Sequence, residues 1–193
     1  YAKRPAFVHT AKKPRSGKTT AAETIGNLCG EPLVIDLDRR AEERLKERWL
    51  SPEGLTKRIG LIDNLKKTLD SDLMDQLVTI KTISGKVLGV GEGSRPNVIT
   101  YFITANNVKL SPDFARRCFY VDFESPDTNV AWEVELHEFL REHSQHVVAD
   151  ILYVLGLPVR PFDPERKVTQ EGFGMWVQEV LARVLGFAPV AEV

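Results

Sequence analysis

The sequence predicts an α/β fold, a parallel sheet flanked by helices, with a helical region appended at its C-terminal end. Three observations carry this expectation. Short apolar runs alternate with helix-patterned stretches as far as about residue 123, the order that builds a parallel sheet. One run, Leu33-Val34-Ile35-Asp36-Leu37, is almost continuously apolar, as a strand covered on both faces must be. Gly17-Lys18-Thr19 falls between an apolar run and a helix start, where a parallel sheet holds phosphate. The change of texture after Pro126 divides the chain into an α/β core over residues 1–125 and a helical region over 126–193.

Ala6–Thr10 reads as the first strand. Lys18–Cys29 follows as a helix with Ala21, Ile25 and Leu28 on one stripe, and Gly30 stops it. After the Leu33–Leu37 strand, Arg40–Leu50 is a charged helix with Ala41, Leu45 and Trp49 on one face and a Glu42–Lys46 pair. Ile59–Asp63 is a third strand that ends in an acid, and Ser71–Val78 is a helix. Glycines 85, 89, 91 and 93 around Lys86-Val87 mark a hairpin or extended loop over Thr82–Asn97. Val98–Thr104, β-branched and aromatic, is the next strand. Ser111-Pro112-Asp113 starts a short helix with a hydroxyl cap and a proline in the first turn. Cys118–Phe123 completes the sheet. Beyond it, apolar stripes predict helices over Ala131–Glu142 and His146–Leu155, then a proline-rich linker and a helix over Phe173–Leu185.

The composition excludes several classes. With 26 Lys and Arg against 27 Asp and Glu, the net charge is −1, so any basic surface must be local. The two cysteines, Cys29 and Cys118, fall in a predicted helix and strand and read as buried, reduced thiols of a cytoplasmic protein. No apolar run has membrane-spanning length, so no membrane partner is expected. The four histidines lack ligand spacing, and Trp132, Phe173 and Trp176 read as core. The chain begins at Tyr1 instead of methionine, and an upstream domain is expected.

The chemistry centres on Arg15-Ser16-Gly17-Lys18-Thr19-Thr20. Gly17 lets backbone approach a phosphate, Lys18 neutralises its oxygens, and Thr19 offers a hydroxyl to Mg²⁺. Lys12 stands where the usual pattern has a further glycine. An acid closing an apolar strand can hold the metal: Asp63 is preferred, with Asn64 beside it for water positioning, and Asp36 competes. Asn106, in Thr104-Ala105-Asn106-Asn107, ends a strand with an amide able to orient water. Arg116 and Arg117 can stabilise charge on a transferring phosphoryl group.

These pieces, in this order, resemble the AAA+ and viral-type (superfamily 3) helicase ATPases, especially helicase-like proteins of phages and mobile elements. The resemblance rests on Ser16-Gly17-Lys18-Thr19, Leu61-Ile62-Asp63-Asn64, Ile83-Ser84-Gly85-Lys86, Arg95-Pro96-Asn97, Thr104-Ala105-Asn106-Asn107 and Asp113-Phe114-Ala115-Arg116-Arg117-Cys118. It implies a P-loop NTPase sheet of AAA+ type that takes ATP and Mg²⁺. Lys18 and Thr19 would bind phosphate and metal, Asp63 would be the Walker B acid, Asn106 sensor 1, and Arg117 or Arg116 the arginine finger. It also implies a ring-shaped homo-oligomer working on single-stranded or forked DNA, with Lys81, Lys86 and Arg95 of the glycine-flanked segment touching the nucleic-acid backbone. The second Walker B acid is missing; Asn64 stands there and cannot abstract a proton, so hydrolysis is expected to be slow or to use a base from elsewhere. Two other readings stand beside the motor: a nucleotide-binding switch or scaffold with little hydrolysis, and a small-molecule kinase using Asp36 with Arg39 or Arg40. The kinase leaves Asn106 and the paired arginines without work.

Overall fold

The computed structural model describes residues 3–37, 44–66, 68–87, 89–106, 109–124 and 132–157, together with Phe173, Trp176, Val180 and Arg183. The start of the expected Arg40–Leu50 helix, the proline-rich linker, Asn107, and most of the last helix lie outside these residues. The chain divides into two compact units, Lys3–Pro126 and Asp127–Val193.

The first unit is built on β1 (Ala6–Ala11), α1 (Lys18–Leu28), β2 (Leu33–Val34), α2 (Leu45–Leu50), α3 (Pro52–Thr56), β3 (Ile59–Leu65), α4 (Asp72–Leu77), β4 (Thr82–Val87), β5 (Gly91–Pro96), β6 (Thr100–Asn106), α5 (Pro112–Ala115) and β7 (Cys118–Phe123). Five strands form one sheet in the order β2-β3-β6-β1-β7, and every pairing in it is parallel. Because all strands run the same way, Ala11, Asn106, Leu65 and Phe123 lie along one edge. The loop after β1 opens at that edge. Strand β6 separates β1 from β3, so its last residues stand between the Gly17 loop and the acid that ends β3.

Alternation along the strands feeds two cores, which is why the runs are largely apolar. Ala6, Val8, Ile62, Tyr101 and Ile103 join Leu45, Trp49, Met74, Leu77 and Ile83 on one face. Ile59, Leu61 and Phe102 meet Ala22 of α1 on the other, where the Phe7 ring stacks at 5.4 Å on Phe102. At Gly60 the sheet has no room for a side chain: a Cβ there would lie 2.9 Å from the Tyr101 ring.

Strands β4 and β5 pair antiparallel as a separate hairpin, turning at Gly89, Val90 and Gly91. Asn97 ties its base down, donating from Nδ2 to the carbonyls of Leu77 (2.5 Å) and Ile80 (3.0 Å). Ser51, Ser71 and Ser111 cap α3, α4 and α5, each hydroxyl accepting an N–H three residues on.

The second unit contains α6 (Trp132–Gly156), one unbroken helix where the sequence predicted two. The segment 143–145 is His-Ser-Gln, without the glycine or proline needed to stop a helix. Arg183 caps its C-terminal end, donating from Nη1 to the carbonyls of Leu155 (2.8 Å) and Leu157 (3.0 Å). Phe173 is buried as expected, but Trp132 is exposed. Cys118 is buried, whereas Cys29, at the frayed end of α1, is exposed. No helix among the described residues is long and apolar enough to cross a membrane.

Candidate functional site

The loop between β1 and α1 twice enters left-handed backbone, at Arg15 (φ 58°) and Gly17 (φ 82°). Glycine tolerates that conformation without strain, and at residue 17 it lets α1 start abruptly. No side chain caps α1, and its first turn carries no acid. The positive end of the helix dipole is therefore not offset by a side chain of its own first turn, and it suits an anion.

Lys18 is 8% exposed, and its Nζ donates to the Ser16 hydroxyl at 3.0 Å. Among the described residues no carboxylate pairs with it. A buried cation satisfied only by a neutral hydroxyl is costly, and an anion bound there would complement it. Lys12, Lys13 and Arg15 stand exposed on the same loop. His9, on β1, braces the loop from below. Its Nδ1 lies 3.1 Å from the Lys18 carbonyl and donates to it as the neutral Nδ1–H tautomer, while burial, opposed by that hydrogen bond, depresses its pKa. Phe102 and Phe123 enclose the ring at centroid distances of 5.4 Å and 5.0 Å.

Thr19 donates its hydroxyl to Oδ1 of Asp63 at 2.7 Å. Thr104 donates to the same oxygen at 2.6 Å. Thus the loop, β3 and β6 converge on one carboxylate. Asn64, with φ 52°, follows at the irregularity in the β3–β6 ladder and is exposed. Asn106 is level with Ala11, the last residue of β1, and is also exposed. Asp36, the competing acid, follows β2, beyond β3 in the sheet.

Hard oxygen donors within hydrogen-bond distance, one a carboxylate, suit Mg²⁺, which takes one or two protein ligands and completes its shell with phosphate and water. Thr19 and Asp63 fit that group.

The arginines stand elsewhere. Arg117 immediately precedes Cys118, which pairs with Ala6 at the start of β1. That is the opposite end of the sheet from Ala11, roughly 17 Å away for a five-residue rise. Arg117 is partly buried and donates from Nη1 to the Asp75 carbonyl (2.8 Å) and to its carboxylate (3.2 Å). Burial raises the Asp75 pKa, against the pull of Arg117 and together with the neighbouring carboxylates Asp113, Asp72 and Asp70. Arg116 is exposed and pairs with Asp113.

The hairpin divides the three basic candidates. Lys81 and Lys86 are exposed, with Lys86 opposite Glu92. Arg95 is not available to a phosphate. It is 6% exposed, and its guanidinium donates to the carbonyls of Trp49 (3.3 Å), Gly54 and Lys57 (3.2 Å). Those carbonyls belong to α2, to α3 and to the residue that ends α3, so Arg95 fastens the hairpin to the helices.

The sequence reading missed Thr104 and His9. Each is a polar residue inside a largely apolar strand, and that is a weak signal.

The fold is the P-loop α/β fold. In a comparison with solved structures, the chain matches JCV helicase with a thiazolopyridine acetamide bound, at a TM-score of 0.52 and 18% identity, over 99% of this chain and 56% of that one. A second structure of JCV helicase matches at a TM-score of 0.46 and 16% identity, over 99% and 56%. The chain thus spans about half the length of these helicases. No protein-family model and no curated protein matches it.

Proposed function

We propose that this chain is the ATP-driven core of a helicase-like motor that acts as a homo-oligomeric ring on DNA, in the replication of a phage or mobile element. The observation that carries the reading is Lys18: a buried ammonium without an acidic partner among the described residues, at an uncapped helix start, beside a threonine hydroxyl bonded to a strand-end aspartate. That combination suits a nucleoside triphosphate bound with Mg²⁺. The fold shared with JCV helicase supports the motor class.

In this reading Arg15, Ser16, Gly17, Lys18, Thr19 and Thr20 bind the phosphates, and Lys18 offsets their charge. Bound Mg²⁺ would draw charge from the phosphate oxygens, held by Thr19 and Asp63. Asn106 and Asn64 present amides to the attacking water. Arg116 and Arg117 serve the site of the next subunit. Lys81 and Lys86 of the hairpin meet the DNA backbone.

The test is ATP turnover by the purified chain, with and without single-stranded DNA, alongside its mass in solution with ATP. Turnover stimulated by DNA in an oligomer is expected. Absence of nucleotide binding would overturn the whole reading. Tight binding with negligible turnover would select the second reading, a switch, which Asn64 favours because no acid follows Asp63 to serve as base.

A further inference from the structure

We infer that Thr104 is a positioning residue for Asp63, one that sets the carboxylate for a metal-bound nucleotide; this rests on the nucleotide reading above. The β3–β6 ladder pairs Ile62 with Ile103 and then Leu65 with Ala105. Two residues, Asp63 and Asn64, therefore stand opposite Thr104 alone. This is a bulge of one residue, a device that re-aims a side chain and takes a backbone group out of the ladder. The positive φ of Asn64 lies at that bulge.

Thr104 is 1% exposed, and its hydroxyl is fully committed to the bulge. Oγ1 accepts the N–H of Asn64 at 2.8 Å and donates its single proton to Oδ1 of Asp63 at 2.6 Å. Thr19 donates to that same Oδ1 from the loop side. One carboxylate oxygen is thus held by two hydroxyls from different elements. Oδ2 has no protein partner among the described residues and remains for the metal. The neighbours of Thr104 in β6, Phe102, Ile103 and Ala105, are all buried and apolar. Valine would suit that stretch of strand as well as threonine does, and only the hydroxyl distinguishes them. Outer-shell groups that orient a metal-binding carboxylate change metal affinity about 10- to 100-fold when removed.

The experiment titrates a fluorescent ATP analogue into wild-type protein, Thr104→Val and Thr104→Ser, each in EDTA and across a Mg²⁺ series. Wild type and Thr104→Ser should tighten with Mg²⁺. Thr104→Val should bind equally well in EDTA but need about 10- to 100-fold more Mg²⁺ for the same tightening. Thermal melts accompany each titration. If the valine variant does not fold, Thr104→Cys, which keeps the volume with a poorer donor, should show the same shift in Mg²⁺ demand. Unchanged Mg²⁺ demand in a folded Val or Cys variant would overturn the role of Thr104 alone. Loss in Thr104→Ser equal to that in Thr104→Val would also overturn it, because the methyl would then be the cause. A wild-type protein that binds nucleotide without any Mg²⁺ effect, or binds none, would overturn the metal site and this inference together.

Discussion

Replacing Lys18 with methionine should separate function from stability, with opposite signs for each. The ammonium is 8% exposed and among the described residues has one partner, the neutral Ser16 hydroxyl, at 3.0 Å. Desolvating an ion costs several kcal/mol, and a hydroxyl offsets only part of that. Methionine keeps an unbranched stem and removes the charge, so the ligand-free protein should be unchanged or more stable, by up to about 2 kcal/mol. Nucleotide affinity should fall. A hydrogen bond to a charged group contributes about 1.5–3 kcal/mol, which is roughly 10- to 150-fold in Kd. Urea denaturation without nucleotide measures the first effect, and titration with ATP and Mg²⁺ the second. A variant destabilised by more than about 2 kcal/mol with unaltered affinity would show Lys18 to be a structural residue, and the argument from its missing counter-ion would be wrong.

Perturbations at Arg95, at the paired arginines and at His9 have distinct outcomes. Arg95→Met strands three inward-facing carbonyls, each a lost charge-assisted bond, so stability should fall by about 2–4 kcal/mol and the Tm by on the order of 10 °C in a calorimetric scan; a melt unchanged by the substitution would refute its fastening role. Arg116→Ala should leave the melt and nucleotide binding intact while turnover drops about 10³-fold, whereas Arg117→Ala should also lower the Tm, because it breaks the contacts to Asp75. Full turnover in both variants, assayed at saturating ATP, would remove the arginines from the mechanism. His9 predicts a pH effect. Its folded pKa lies below the unfolded 6.5, so the unfolded chain binds the extra proton first, and stability is lost as pH falls from 6.5 toward the folded pKa. The slope in that window cannot exceed the one-proton limit of about 1.4 kcal/mol per pH unit and should disappear in His9→Gln, as read by urea denaturation.

Local patterns made much of the fold readable. The alternation of runs gave the parallel sheet, the serine caps gave helix starts, and clustered glycines gave the hairpin. Asp63 was preferred over Asp36 on the residue beside it, and its hydroxyl bond to Thr19 is a separate, three-dimensional fact. What escaped was decided by residues far apart in the chain. Thr104 looks like any strand threonine until β3 and β6 pair with an extra residue 40 positions away. Arg95, a cation in a glycine-rich segment, has every local mark of a solvated side chain. Its burial is dictated by carbonyls of residues 49, 54 and 57, which only the folded α2–α3 pair brings together. The helix break expected near residue 143 was inferred from two apolar stripes, although no residue there opposes a helix.

The geometry of the sheet bears directly on how the proposed motor would assemble. All five strands run parallel, so each end of the sheet has one character. The Gly17 loop, Asp63, Asn64 and Asn106 gather at the carboxyl ends. Arg116 and Arg117 gather at the amino end, fixed there by the backbone bond from the Ala6 N–H to the Arg117 carbonyl at 3.0 Å. An arginine side chain reaches roughly 7 Å, well short of the length of β1. Neither guanidinium can therefore serve the phosphate loop of its own chain without dismantling β7. If either acts on a nucleotide, it acts on one held by a neighbour, and a head-to-tail arrangement of that kind forms a ring where its rotation closes and an open filament where it does not. Mixing Lys18→Met chains with Arg116→Ala chains tests this argument. Each variant alone should be inactive, and the mixture should recover turnover, because some interfaces then join an intact loop to an intact arginine. A mixture as inactive as its components would refute action between neighbours.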